Sequence, residues 1–231
     1  MKLPLIAIDG PAGAGKSSTS REVARRLGLP YMDSGAVYRA VAVVLRSAGA
    51  TAENRSAVKR IMESIQIECA EGPLGALVWI NGEDVTQKLR LPETATAASS
   101  LSALSEVREP VSNYLRSWAD RGFGVMEGRD IGTVILPQAG LKIYITARPE
   151  IRAVRRAKDE GFADDPVKIA ALAQEIATRD KRDSDRQNAP LKFAEDAILV
   201  DTSDCPFEEQ VMKILSLASE HFTVQHYGGH V

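Results

Sequence analysis

The run Gly10-Pro11-Ala12-Gly13-Ala14-Gly15-Lys16-Ser17 fits G-x-x-x-x-G-K-[ST] at every fixed position. Glycines let a backbone curl until consecutive N–H groups point inward at phosphate oxygens. A helix opening at Lys16 would turn its positive N-terminus to the same anion. Lys16 is long enough to reach the β- and γ-phosphates, and the hydroxyl of Ser17, or of Ser18 beside it, is a ligand for Mg²⁺. The run therefore predicts a site for a nucleoside triphosphate with Mg²⁺. Motors, switches and small-molecule kinases share that chemistry, so the loop does not choose among them.

Two arginine groupings share helix faces further along the chain. Arg152, Arg155 and Arg156 are spaced i, i+3, i+4, which places them on one face of a helix. Arginines closing over a transferring phosphoryl group neutralise its spreading charge and expel water. The bland reading is a basic surface balanced by Asp159 and Glu160. The first reading predicts three cations that repel one another and stay solvated in the empty protein. Arg179, Asp183 and Arg186 are spaced by four and three and also share a face if helical.

Histidine chemistry is almost excluded. The three histidines, His221, His226 and His230, all lie in the last eleven residues of the 231-residue chain. A triad or a zinc helix could be built only from this tail. Phosphoryl transfer, which relies on positioning and charge neutralisation, needs none. Cys69 and Cys205 cannot make a disulfide framework and fit a reduced compartment. A net charge of −2 gives no case for a nucleic-acid or membrane partner. No apolar run approaches a signal peptide or a span of ~18 residues, so a cytoplasmic protein is expected.

The elements that must position these groups follow from periodicity. Residues 5–8 read as a buried strand before the glycine loop, and Lys16 to Leu27 as a helix stopped by Gly28. A short strand at 31–32 and a helix over about 36–48 follow. Alternation at 65–69 and 77–80 predicts a small antiparallel hairpin, and residues 92–121 read as helix broken near Leu104-Ser105. Strands return at 124–127, 141–146 and 198–201, with helices over about 149–160, 166–182 and 207–220. Five short strands with helical crossovers imply a mostly parallel α/β sheet covered on both faces, and the hairpin reads as an insert.

Beyond the loop, Asp33-Ser34-Gly35-Ala36-Val37-Tyr38-Arg39, Ala97-Ala98-Ser99, Val107-Arg108, Glu127-Gly128-Arg129-Asp130-Ile131-Gly132-Thr133-Val134 and Arg179-Asp180-x-Arg182-Asp183-x-x-Arg186 stand in order. Over about residues 5–220 the chain resembles the bacterial cytidylate kinases, which are nucleoside monophosphate kinases. The resemblance implies Mg²⁺-dependent transfer of the ATP γ-phosphate to CMP or dCMP. It implies a P-loop core (about 1–58, 106–148 and 187–220) with a five-stranded parallel sheet. It also implies a monophosphate-binding insert (about 59–105) and a mobile lid (about 149–186), with a tail at 221–231.

By the same resemblance Gly10, Pro11, Ala12, Gly13, Ala14, Gly15, Lys16, Ser17 and Ser18 bind ATP, and Lys16 with Arg152, Arg155 or Arg156 is catalytic. Ser99, Arg108 and Asp130 read cytosine, whose N4 amino group needs an acceptor while N3 and O2 need donors. Arg39, Arg129 and Arg186 hold the acceptor phosphate. Ser34, Arg179 and Asp183 contact the acceptor nucleotide, the last two mainly at the pentose. Ser17 ligands Mg²⁺, and Asp33 orients its waters or the acceptor phosphate. The doublet Ser17-Ser18 departs mildly from the family's usual pair and keeps a hydroxyl. The partners implied are small molecules alone, for a monomer. Competing readings are a kinase for another monophosphate or for a metabolite such as shikimate, and a nucleotide-dependent switch. The switch would have no use for a second arginine cluster.

Overall fold

In the computed structural model, which describes residues 4–72, 75–186 and 188–222, the apolar run ahead of the glycine loop is β1 (Leu5–Asp9), buried at every position. The chain continues through α1 (Lys16–Leu27), β2 (Tyr31–Asp33), α2 (Ser34–Ser47) and α3 (Arg55–Met62). Three strands follow, β3 (Ile67–Gly72), β4 (Gly75–Ile80) and β5 (Glu83–Asp84), then α4 (Pro92–Leu101) and α5 (Ser105–Ala119). The remainder is β6 (Gly124–Gly128), β7 (Leu141–Thr146), α6 (Pro149–Asp159), α7 (Pro166–Asp185), β8 (Ile198–Asp201) and α8 (Phe207–His221). No helix among the described residues is long and apolar enough to cross a membrane.

The chain divides into two compact units, Met1–Tyr31 with Gly122–Val231, and Met32–Arg121. The first carries a five-stranded sheet in the order β2-β6-β1-β7-β8, with the division falling inside β2. β1 is its centre, pairing in parallel with β6 (Ile6 opposite Val125) and with β7 (Ile6 opposite Leu141). A central strand is covered on both faces, which is why it reads as an unbroken apolar run. Val23 and Ala24 of α1 and Val211, Ile214 and Ala218 of α8 pack with Ile6, Ile8, Ile143 and Ile145 into one core. A smaller cluster joins Ala153 and Ala157 of α6 to Leu172 and Ile176 of α7.

The second unit is built on the antiparallel sheet β3-β4-β5. Its ladder runs from Ile67 opposite Ile80 to Gly72 opposite Gly75. Ala36, Ala40 and Val43 of α2 pack against Val78, Ile80, Val85 and Leu89. Asn81 and Gly82 both have positive φ, 52° and 79°, the pairing that closes a two-residue hairpin. That turn adds β5, a third strand the hairpin expectation lacked, because a two-residue strand has no visible alternation. The helix α3 was also unread, although Asn54 caps it by accepting from the Ala57 N–H at 3.1 Å. Two helix ends moved. Asp33 caps α2 from outside, so that helix begins at Ser34, and α7 runs on to Asp185. Residues Ile131–Ile135 form a single π-type turn, a feature without sequence periodicity. Of the histidines, His221 ends α8 and His226 and His230 lie outside the described residues.

One glycine binds the loop to the sheet. At Gly10, φ is 149° and an added Cβ would sit 1.9 Å from the Ile145 carbonyl oxygen on β7. Backbone meets backbone there, so nothing flexible can give way. Gly10→Ala should cost about 3 kcal/mol or more of stability. Urea unfolding followed by circular dichroism checks this, and an unchanged midpoint would contradict the tight approach.

Candidate active site

The glycine loop leaves the carboxyl end of β1, the edge where open α/β sheets hold ligands. Gly13 and Gly15 have φ of 73° and 86°, and Gly15 caps α1 in the left-handed region. Lys16 is buried and folds back so that its Nζ donates to the Pro11 carbonyl oxygen at 2.8 Å. The two serines, both exposed, separate by partner. The Ser18 Oγ donates to the Gly15 carbonyl oxygen at 3.0 Å, whereas the Ser17 Oγ donates to the Glu127 carboxylate. Glu127, buried at the end of β6, also accepts from the Tyr31 hydroxyl at 3.3 Å. Ser17 is thus the hydroxyl turned to an acid.

Asp9, the last residue of β1, ties this loop to the acceptor segment. Its two carboxylate oxygens accept from the Ile131 N–H at 2.8 Å and the Gly132 N–H at 2.7 Å. Those amides directly follow Arg129-Asp130. Burial pushes the Asp9 carboxyl up to about 6, against the two amides, which lower it.

Charge is unbalanced around Lys16. Burial pushes its ammonium down to about 7, and the nearby Arg129 guanidinium adds to this, as Arg179 does more weakly; Glu127 and Asp9 oppose them. The same unit gathers the other predicted acceptor groups. The Arg129 Nε donates to Asp183 Oδ2 at 3.1 Å, and Arg186 lies 3.9 Å from Asp183 and 4.0 Å from Asp130. Asp130 and Asp183 are both buried. Arg186 is the first residue past α7 and not on its face, yet its side chain reaches the cluster, held by its Nε donating to the Ala189 carbonyl oxygen at 2.8 Å.

The lid arginines depart from expectation. They are not one solvated, mutually repelling face, because Arg152 and Arg155 have acceptors on other elements and only Arg156 stays at the surface. Arg152 is buried: its Nε donates to the Ala147 carbonyl oxygen at 3.0 Å, its Nη1 to the Ala12 carbonyl oxygen at 3.1 Å, and it is paired with Asp180. Arg155 donates to the Thr202 hydroxyl at 3.0 Å and to the Thr202 carbonyl oxygen. Arg156 is half-exposed and paired with Glu160 on its own helix. Helical spacing places side chains on a face but does not report the acceptors that other elements bring to it. Of the three, Arg152 touches the glycine loop through Ala12.

In the second unit, Asp33 accepts from the Ala36 N–H at 2.9 Å and from Arg39 Nη2 at 3.0 Å, so it caps α2 and orients Arg39. Ser34 is buried in the first turn of α2 and Ser99 near the end of α4. Arg108 is buried, donates to the Ser102 carbonyl oxygen at 3.3 Å and lies 5.6 Å from the centre of the Tyr38 ring. Glu127, Asp9, Tyr38 and Asp180 stand in the sequence motifs but carry no site role in the sequence reading. Glu127 and Asp9 end strands on the ligand edge of the sheet, and that position was the available signal.

Cations crowd a loop of amides at the carboxyl edge of a parallel sheet, the arrangement of a P-loop phosphotransferase. The family model described as cytidylate kinase matches residues 6–220, and the chain belongs to that family. The cytidylate kinase of Carboxydothermus hydrogenoformans is 41% identical over 212 residues, covering 92% of this chain and 96% of that one. The cytidylate kinase of Caldicellulosiruptor bescii is 43% identical over 222 residues, covering 94% of this chain and 96% of that one. Among solved structures, a gluconokinase from Sinorhizobium meliloti superposes with a TM-score of 0.51 at 14% identity, covering 95% of this chain and 93% of that one, a likeness of fold.

A lysine pushed down to about 7 is mostly neutral at pH 8 in the empty protein. Phosphate oxygens beside it favour the charged form and raise it again. ATP binding at pH 8 should therefore take up close to one proton, read by calorimetry in two buffers of different ionisation enthalpy. Lys16→Met should abolish the uptake.

Proposed function

We propose that this chain carries out Mg²⁺-dependent transfer of the γ-phosphoryl group of ATP to CMP or dCMP, giving CDP or dCDP and ADP, with its own residues in the roles below. The observation that carries the reading is the cation cluster, with Lys16, Arg129 and Arg179 placed close enough to lower the lysine's proton affinity. Such a cluster is relieved by two phosphates, one from each nucleotide. The family match over residues 6–220 names the acceptor.

The inward amides of residues 10–18 and the Lys16 ammonium hold the donor phosphates. Arg39, Arg129 and Arg186 hold the acceptor phosphate, since a planar fork fixes the direction of phosphate oxygens. Asp130 accepts from the cytosine amino group, while Arg108 and Ser99 answer its N3 and O2. Arg179 and Asp183 hold the pentose, and Ser34 contacts the same nucleotide. Ser34, Arg39, Ser99 and Arg108 belong to the 32–121 unit, and their roles rest on the matching motifs. Asp33 acts by orienting Arg39. Arg152, with Arg155 and Arg156 behind it, covers the transferring group and excludes water. The attacking phosphate oxygen is already anionic at neutral pH, so no side chain has to act as a strong base. Transfer is direct and in line, with no covalent protein intermediate.

The residues present suit Mg²⁺. Among the described residues no three His, Cys, Asp or Glu side chains gather to hold a metal. A Mg²⁺ ion of this kind needs only one or two protein oxygens. Ser17 Oγ and the Glu127 carboxylate, already in contact, would supply them. Bound there, it would neutralise phosphate charge.

A coupled assay with ATP and each of CMP, dCMP, UMP, AMP and shikimate tests the reading. CMP and dCMP should be preferred. Asp130→Ala should lower kcat/KM for CMP by about 10- to 100-fold, with little change in the KM for ATP. Selectivity between CMP and UMP unchanged in Asp130→Ala, Arg108→Ala and Ser99→Ala alike would remove the cytosine reader. Lys16→Met should lower kcat by about 100-fold or more without unfolding the protein.

A further inference from the structure

We infer that Asp180 is a positioning residue for phosphoryl transfer, acting through Arg152. This rests on the reading of Arg152 as the arginine over the transferring group. Asp180 lies on α7 between Arg179 and Asp183 but is directed at the donor loop. Its Oδ1 accepts from the Ala12 N–H at 3.1 Å, and its Oδ2 pairs with Arg152 Nη1. Arg152 closes the circuit by donating from the same Nη1 to the Ala12 carbonyl oxygen at 3.1 Å. One carboxylate therefore holds both an amide of the phosphate loop and the arginine that covers it. The Ala12 methyl group packs on the α6–α7 cluster of Ala153, Ala157, Leu172 and Ile176, so the seam is apolar as well as charged.

The donor count shows what the pairing does. A guanidinium has five N–H donors in a rigid plane. Nε is committed to Ala147, and both hydrogens of Nη1 are committed to Ala12 and Asp180. The plane of the fork is fixed at these two nitrogens, and the third, Nη2, makes no hydrogen bond to a described residue. A fork held at two of its three nitrogens, with the hydrogens of the third left to donate, is preorganised for a phosphoryl oxygen. Stability is a poor reason for the pair. The side chains are 8% and 17% exposed, and a pair so nearly buried returns little more than its desolvation cost. Asp180 is also one turn from Asp183, which holds Arg129. The helix α7 thus touches the donor loop and the acceptor cluster with successive carboxylates.

The test is a double-mutant cycle on steady-state kcat with ATP and CMP, using Asp180→Ala, Arg152→Ala and the double variant. Asp180→Ala should lower kcat about tenfold or more, with the KM for CMP changed by no more than about threefold. In the Arg152→Ala background the same substitution should change kcat by less than about twofold. Asp180→Asn keeps an oxygen for the Ala12 N–H but no charge for Arg152, so it should be about as slow as Asp180→Ala. It is also the variant to read if the alanine protein folds poorly. Restored turnover in Asp180→Asn, or effects that multiply in the double variant, would overturn the inference and leave the lid reading standing. Normal turnover in Arg152→Ala would overturn both.

Discussion

Lys16 is kept out of water at the carboxyl end of β1, and much of the surrounding structure follows from that. A buried ammonium is costly unless its neighbours are charged or hydrogen-bonded. Here two acids, Asp9 and Glu127, face two arginines, Arg129 and Arg179, and the lysine is left with reduced proton affinity. The protein stabilises this arrangement only in part. Its remaining demand is for anions, which on the proposed function two nucleotide phosphates supply.

Rigidity around that centre comes from the parallel sheet. β1 ends in Asp9, whose carboxylate fixes the amides after Asp130, and the next residue, Gly10, runs against the backbone of β7. Donor loop and acceptor turn are therefore referred to one strand. α7 supplies a second reference, with Asp180 on the loop and Asp183 on Arg129. The second unit, residues 32–121, organises its own arginines the same way: Asp33 orients Arg39, and Tyr38 with the Ser102 carbonyl oxygen holds Arg108.

The parts legible from sequence were those whose signal is contiguous. The phosphate loop, the strands at 5–8 and 141–146 and the break between α4 and α5 each depend on a few neighbouring residues. The acceptor residues are proposed only because the motifs resemble a family in order; no spacing rule would join Asp130 to Arg186 across the chain. The sheet order β2-β6-β1-β7-β8 was out of reach, because strand pairing joins segments more than a hundred residues apart, such as Ile6 with Val125. Lid electrostatics failed for a related reason. The helix keeps the spacing of Arg152, Arg155 and Arg156, but the acceptors of Arg152 and Arg155, among them Ala12, Asp180 and Thr202, arrive from other elements, while Arg156 pairs with Glu160 on its own helix. Asp180 itself was hidden inside a run of mixed charge, the kind of sequence that usually marks a solvated face.

The central claim is that a fixed cluster of cations brings two phosphates together for one direct displacement. Its stereochemical consequence is definite. A single in-line displacement inverts the configuration at phosphorus, whereas passage through a protein-bound phosphoryl group inverts twice and retains it. The direct measurement is the configuration of the β-phosphorus of CDP formed from ATP carrying an isotopically chiral γ-thiophosphoryl group. Inversion is the predicted result. Retention would show a covalent protein intermediate and contradict the account.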